Sequence, residues 1–238
     1  MSWPFVRPPC FYFAAFRAIY RVNRHVTKHG PNRAVLARWA LTVLDAVEDT
    51  GGHVHLEGLN HVRTDGPVVY VGNHMSSLET IVMPGMLFDY HEPTFVVKDS
   101  LLKYPLFGPG VASLDAIGVT REDPRADLKT VLTRGKELLA AGRSIIIFPQ
   151  GTRHLDCDRE AFSALGVKLA LRAGVPVIPL ALKTDFWGNG RWIKDVGWIG
   201  RSMDVHFAFD APQTPTGNGK ETHAAVLDFI CSKLEEWK

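Results

Sequence analysis

Apolar and polar positions change rhythm several times along the chain, and each change marks an element. Residues 10–22 are dense in aromatics, and on a helix Phe13, Phe16 and Tyr20 form one stripe while Arg17, Arg21 and Arg24 form another. A second helical pattern opens at Pro31, runs to about Asp49 with Val35, Leu36, Trp39, Leu41, Leu44 and Val47 apolar, and stops at Gly51-Gly52. The period then shortens. His53 to Leu56 alternates like a strand, and bounded apolar runs at Val68–Val71, Thr94–Val97, Ser144–Phe148 and Val177–Leu182 suit buried strands. Asp204 to Phe209 adds another. Helical patterns fall at 124–141, 159–173 and about Glu221 to Trp237, and 184–200 reads as an aromatic-rich loop.

Strands alternating with helices predict an α/β fold with a central, mostly parallel or mixed sheet flanked by helices. An N-terminal two-helix segment (residues 1–50) precedes the α/β domain (residues 51–238). The balance of 46% hydrophobic and 22% charged residues is that of a folded globular protein. Net charge is only +2, which argues against a nucleic-acid partner. The sum hides an asymmetry, because residues 1–40 hold seven of the 27 basic residues and none of the 25 acidic ones. A cationic, aromatic, amphipathic segment suits an anionic membrane surface, or else packs its aromatics on the protein's own core. No apolar run approaches the roughly 18–20 residues that span a bilayer, and the N-terminus does not read as a signal peptide.

Cys10, Cys157 and Cys231 are too few and too scattered for a disulfide framework, so a reducing compartment is expected. The His53-x-His55 pair on a strand invites a metal, but no acidic or cysteine ligand set lies near it in the chain, and none is expected to bind. Gly217-Asn218-Gly219-Lys220 fails as a phosphate loop, since Thr214 stands at its start and Glu221 follows the lysine.

Three loops past apolar runs carry reactive groups. In the first, Gly72-Asn73-His74-Met75-Ser76-Ser77-Leu78-Glu79, a histidine base meets a carboxylate only if His74 lies in the loop and Glu79 in the first turn of the next helix. The alternative is a capping box in which Glu79 serves the backbone at Ser76. In the second, Phe148-Pro149-Gln150-Gly151-Thr152-Arg153 suits an anionic oxygen cluster or is a tight turn with a surface arginine. In the third, Gly118-Val119-Thr120-Arg121 alone reads as surface charge.

Taken together these blocks resemble the glycerolipid acyltransferase family, which includes the 1-acylglycerol-3-phosphate acyltransferases. Val175-Pro176-Val177-Ile178-Pro179 resembles a fourth family block, and Lys98–Gly108 resembles the landmarks leading into the Gly118–Arg121 block. The likeness runs in order over about residues 55–182. It implies transfer of an acyl group from acyl-CoA or acyl carrier protein to a lysophospholipid hydroxyl, most simply 1-acylglycerol-3-phosphate, with no metal and no bound cofactor. His74 and Glu79 are then catalytic, Arg121, Gln150, Gly151, Thr152 and Arg153 bind substrate, and the N-terminal helices hold the enzyme peripherally at the cytoplasmic face of the cell membrane. The sequence departs from the family pattern twice: Glu79 stands where the block usually ends in Asp, and Gln150 where the family usually has Glu. Those departures keep two rivals open, another acceptor such as a lyso-amino-lipid and a non-catalytic lipid-binding protein.

Overall fold

A computed structural model describes residues 8–104 and 107–238; Arg7 and, within the Lys98–Gly108 segment, Pro105 and Leu106 lie outside the described residues. Seven strands form one sheet: β1 (His53–Glu57), β2 (Val69–Gly72), β3 (Thr94–Lys98), β4 (Ile117–Val119), β5 (Ile145–Ile147), β6 (Val177–Lys183) and β7 (Asp204–Phe209), in the spatial order β1-β7-β6-β2-β5-β3-β4. Strands β2 to β6 are mutually parallel, β7 runs antiparallel to β6, and β1 pairs parallel with β7. The helices are α1 (Pro8–His29), α2 (Arg33–Asp49), α3 (Leu78–Met86), α4 (Asp99–Leu102), α5 (Gly108–Ala112), α6 (Pro124–Ala140), α7 (Leu165–Ala173) and α8 (Lys220–Glu236). The mostly parallel α/β architecture expected from the patterning is the one observed.

The unbroken apolar strands follow from two-sided burial. Val69, Val71, Ile145, Ile147 and Val177 face a core shared with α6, α7 and α8, while Tyr70, Ile146, Ile178, Leu180 and Leu182 face a core shared with α1, α2 and α3. Truncating one of the fully buried Ile or Leu side chains among these to Ala costs about 2–5 kcal/mol. The two N-terminal helices belong to this second core. Phe11, Ala15, Ala18, Ile19 and Val22 bury one face of α1, and Val43 and Val47 do so for α2. Phe13 and Tyr20 point to solvent at 70% and 58% exposure. The guanidinium groups of Arg17 and Arg21 lie over the Trp39 ring. The N-terminal segment thus packs inward on one face and presents aromatics and cations on the other.

Two expectations need correction. The helical pattern over 159–173 is a 3-10 turn at Arg159–Ala161 followed by α7, because Phe162 and Ser163 leave helical geometry to bury Phe162. The cysteines are not all free thiols. Cys157, in the loop after β5, and Cys231, on α8, form a disulfide with Cα atoms 5.4 Å apart, while Cys10 is free and exposed. The bridge was invisible in the chain because 74 residues separate its halves, and only the packing of α8 against the sheet brings them together.

Because β2, β4, β5 and β6 all run in one direction, their carboxyl ends open on a single edge of the sheet. That edge is where α/β proteins gather their reactive loops, and His74, Arg121, Gln150 and Thr184 all follow one of these four strands.

Candidate active site

Asn73 sets the first loop. Its amide donates to Leu182 O at 2.7 Å and accepts from Leu182 N at 2.8 Å, which extends the β2–β6 ladder by one side chain and fixes where the chain leaves the sheet. His74 follows in the loop and Glu79 sits in the first turn of α3, the placement their spacing required. His74 Nδ1 and Glu79 Oε1 are 2.7 Å apart. The same oxygen accepts from the backbone N–H of Met75 at 2.8 Å and of Ser76 at 2.9 Å. Glu79 Oε2 accepts from Ser76 Oγ at 2.9 Å and Thr184 Oγ1 at 2.6 Å. The capping-box contact and the histidine contact are therefore both made, by one carboxylate.

Glu79 is fully buried. Burial by itself raises its pKa, but the hydrogen bond and charge of His74, with donors from Thr184 and Ser76, outweigh it and hold the carboxyl well below its usual range. An ionised carboxylate only accepts. The proton between the two groups therefore belongs to Nδ1, and a neutral His74 keeps its free lone pair on Nε2. Among the described residues no hydrogen-bond partner falls on Nε2. The ring stacks on Phe148 at 4.9 Å between centroids, with its side chain 17% exposed.

The second loop closes on the first. Gln150 Oε1 accepts from His74 N at 2.8 Å, and His154 N donates to His74 O at 2.8 Å. Gln150 is buried, and its Nε2 has no hydrogen-bond partner among the described residues. Gly151 takes a left-handed φ of +72°, and its carbonyl accepts from Arg121 Nη1. That contact joins the Gly118–Arg121 block to the Phe148–Arg153 block. Arg121, itself at a left-handed φ of +64°, is held there because the Asp127 carboxylate accepts from its N–H at 2.7 Å and from Thr120 N at 2.8 Å. Thr152 is exposed. Arg153 turns toward the 184–200 loop, where it donates to Asn189 Oδ1 at 2.9 Å and pairs with Asp195 at 2.7 Å.

The acyltransferase family model matches residues 53–183, the span that holds every one of these groups except the loop beyond Lys183. The chain belongs to the acyltransferase family.

Among curated members of that family, the 1-acyl-sn-glycerol-3-phosphate acyltransferase of Pseudomonas aeruginosa is 32% identical over 170 residues, covering 70% of this chain and 64% of that one. The enzyme of the same name from Chlamydomonas reinhardtii is 37% identical over 119 residues, covering 50% of this chain and 34% of that one. The chain therefore spans between about a third and two-thirds of the length of these relatives. The crystal structure of the 1-acyl-sn-glycerophosphate acyltransferase PlsC from Thermotoga maritima shares the fold, with a TM-score of 0.64 at 21% identity over 96% of this chain and 93% of that one.

Asn73 and Thr184 were given no role in the sequence, and Ser76 was read only as a cap. Ser76 and Thr184 complete the shell of Glu79, and Asn73 aims the loop. The 184–200 segment is also more than an aromatic loop. Asn189 Nδ2 donates to Met75 O at 2.9 Å, and Asp195 accepts from Ser77 Oγ at 2.6 Å as well as from Arg153. These contacts lie more than a hundred residues from His74 in the chain. The available signal was Thr184, a hydroxyl directly after an apolar strand.

Proposed function

We propose that this protein moves a fatty acyl group from a thioester, acyl-CoA or acyl carrier protein, to the free hydroxyl of a lysophospholipid. The preferred acceptor is 1-acylglycerol-3-phosphate and the product phosphatidic acid, as the names of its relatives support. His74 Nε2 takes the proton of the acceptor hydroxyl as general base. The oxygen attacks the thioester carbonyl carbon, the carbon–sulfur bond breaks, and the imidazolium returns the proton to the departing thiolate. Glu79 holds the tautomer and balances the transient positive charge. Arg121 and Arg153 bind the acceptor phosphate, with Gln150, Gly151 and Thr152 shaping its pocket. The observation that carries this reading is the pairing of buried Glu79 with His74, which leaves Nε2 without a hydrogen-bond partner among the described residues, beside an arginine-bearing loop.

An apolar cavity of about 70 Å³ lies between α1, α2, α3 and α5, lined among others by Ile19, Trp39, Ile81 and Val111. It adjoins the helix that carries Glu79 and suits part of an acyl chain. No described helix is long and apolar enough to cross a membrane, and the contact with lipid proposed for this protein is made by exposed side chains. Phe13 and Tyr20 on α1 and Trp192, Ile193 and Trp198 on the 184–200 loop, all exposed, supply the apolar contacts. Tyr12 Oη donates to Gly197 O at 2.5 Å and ties the two surfaces together.

Gln150 favours one second reading, the same chemistry on a lysolipid with a different headgroup, because an amide replaces the family's usual acid and offers a free N–H beside His74. Incubation with labelled acyl-CoA and a panel of lysolipids, with products identified by mass spectrometry and thiol release followed in parallel, separates the readings. Labelled phosphatidic acid supports the first and another acylated lipid the second. Binding without thiol release would leave only a lipid-binding role.

A further inference from the structure

The parallel pairing of β1 with β7 brings together side chains that the chain keeps about 150 residues apart. In this register His53 stands opposite Asp204 and His55 opposite His206. Strand side chains alternate between faces, so all four lie on one face of the sheet's edge. His55 Nε2 is 3.0 Å from Asp204 Oδ1, and the His55 and His206 rings stack with centroids 4.5 Å apart. One donor atom from each of His55, Asp204 and His206 lies within 4.8 Å of the other two. The ligand set that the strand His53-x-His55 lacked in its own neighbourhood is supplied across the sheet.

We propose that His55, Asp204 and His206 bind one divalent transition-metal ion of the Zn²⁺ type, clamping the edge strand β1 to β7. Two imidazoles and a carboxylate select a borderline ion over Mg²⁺ or Ca²⁺, which prefer oxygen alone. Tetrahedral Zn²⁺ with bonds of about 2.0–2.1 Å places its ligand atoms roughly 3.3 Å apart. The His55–Asp204 pair is already near that spacing, and the wider separations close by rotation of side chains that are 47% and 55% exposed. His206 is the fixed ligand, because its other face stacks on Trp237 at 4.6 Å. Its Nδ1 is buried and has no hydrogen-bond partner among the described residues.

The neighbouring cations are each paired with a carboxylate. Lys183, opposite His206 on β6, pairs with Asp185 at 2.8 Å, and Lys233 pairs with Glu57 at 2.7 Å. Three protein ligands leave a fourth position for water or for His53 on the same face. Strands β7 and β6 stand between this edge and β2, which leads to His74, so the ion has no part in acyl transfer. Its effect is on stability, through a cross-link between segments far apart in the chain.

The test uses the full-length protein, stripped with a chelator and titrated with Co²⁺ by visible absorption and with Zn²⁺ by calorimetry. One equivalent should bind with the intense band of tetrahedral Co²⁺, and Zn²⁺ should raise the melting temperature. His55→Gln and Asp204→Asn change exposed side chains, so both variants should fold; each should weaken binding at least about tenfold and lose the Zn²⁺ shift. His74→Gln should retain both. Absence of saturable binding, or unchanged stoichiometry and affinity in the His55→Gln/Asp204→Asn double variant, would overturn the assignment.

Discussion

His74 Nδ1 lies 2.7 Å from Glu79 Oε1, and the same oxygen accepts from the N–H of Ser76 just ahead of the helix on which Glu79 rides. The longer Glu side chain accounts for this double duty. It reaches back from the first turn of α3 to the loop, while Thr184 and Ser76 hold its second oxygen. The departure from Asp in the family block is thus absorbed by local geometry.

Glu79→Gln keeps the shape and removes the charge. Turnover should fall about 10²–10⁴-fold, measured as initial rate at saturating substrates. The pair also predicts a pH dependence. The folded state holds Glu79 below its ordinary value of 4.5, so the unfolded chain binds the proton more readily. The stability this contributes is complete above about pH 4.5 and is lost as pH falls through the folded value, near 2. Urea unfolding between pH 3 and 6 should show a steeper loss of stability toward acid in the unmodified protein than in Glu79→Gln.

Arg153 is partly buried and paired with Asp195 on the 184–200 loop. A charge-assisted hydrogen bond to phosphate is worth about 1.5–3 kcal/mol. Arg153→Ala should therefore raise the acceptor KM about 10–100-fold and leave the KM for the thioester nearly unchanged, as read from two-substrate kinetics. An unchanged acceptor KM would remove Arg153 from the site.

The Cys157–Cys231 bridge ties the loop that bears Gln150 to Arg153 onto α8. Closing a loop of that length is worth up to about 4 kcal/mol. Thiol titration of the denatured, unreduced protein should find only Cys10, and reductant or Cys231→Ser should lower the melting temperature.

Deleting the N-terminal helices would strip Phe11, Ala15 and Val22 from the core, so membrane contact is better tested at exposed positions. Phe13→Ser with Trp192→Ser should reduce partitioning onto anionic vesicles about tenfold or more with the melting temperature unchanged. Equal sedimentation with vesicles would contradict the surface assigned here.

The strands were legible because two-sided burial writes itself as uninterrupted apolar runs such as Ile145–Ile147, and β7 could be read from Asp204 to Phe209 without change. His74 and Glu79 were legible because five residues across a strand-to-helix junction leave them one way to meet. Contacts set by tertiary packing were not legible. Thr184 reaches Glu79 across 105 residues, Cys157 meets Cys231 only through the docking of α8, and the His55 cluster exists only in the β1–β7 register. The outward side of α1 was half legible: its amphipathicity marked two faces, and the inward packing of Phe11 and Ala15 decides which of them remains free.

The most direct measurement is the rate of acyl transfer by His74→Ala, with circular dichroism and the melting temperature confirming an intact fold. Removal of the base should lower turnover by two to four orders of magnitude while the substrate KM values move little. A folded variant that transfers acyl groups at a near-normal rate would show that the proton leaves by another route.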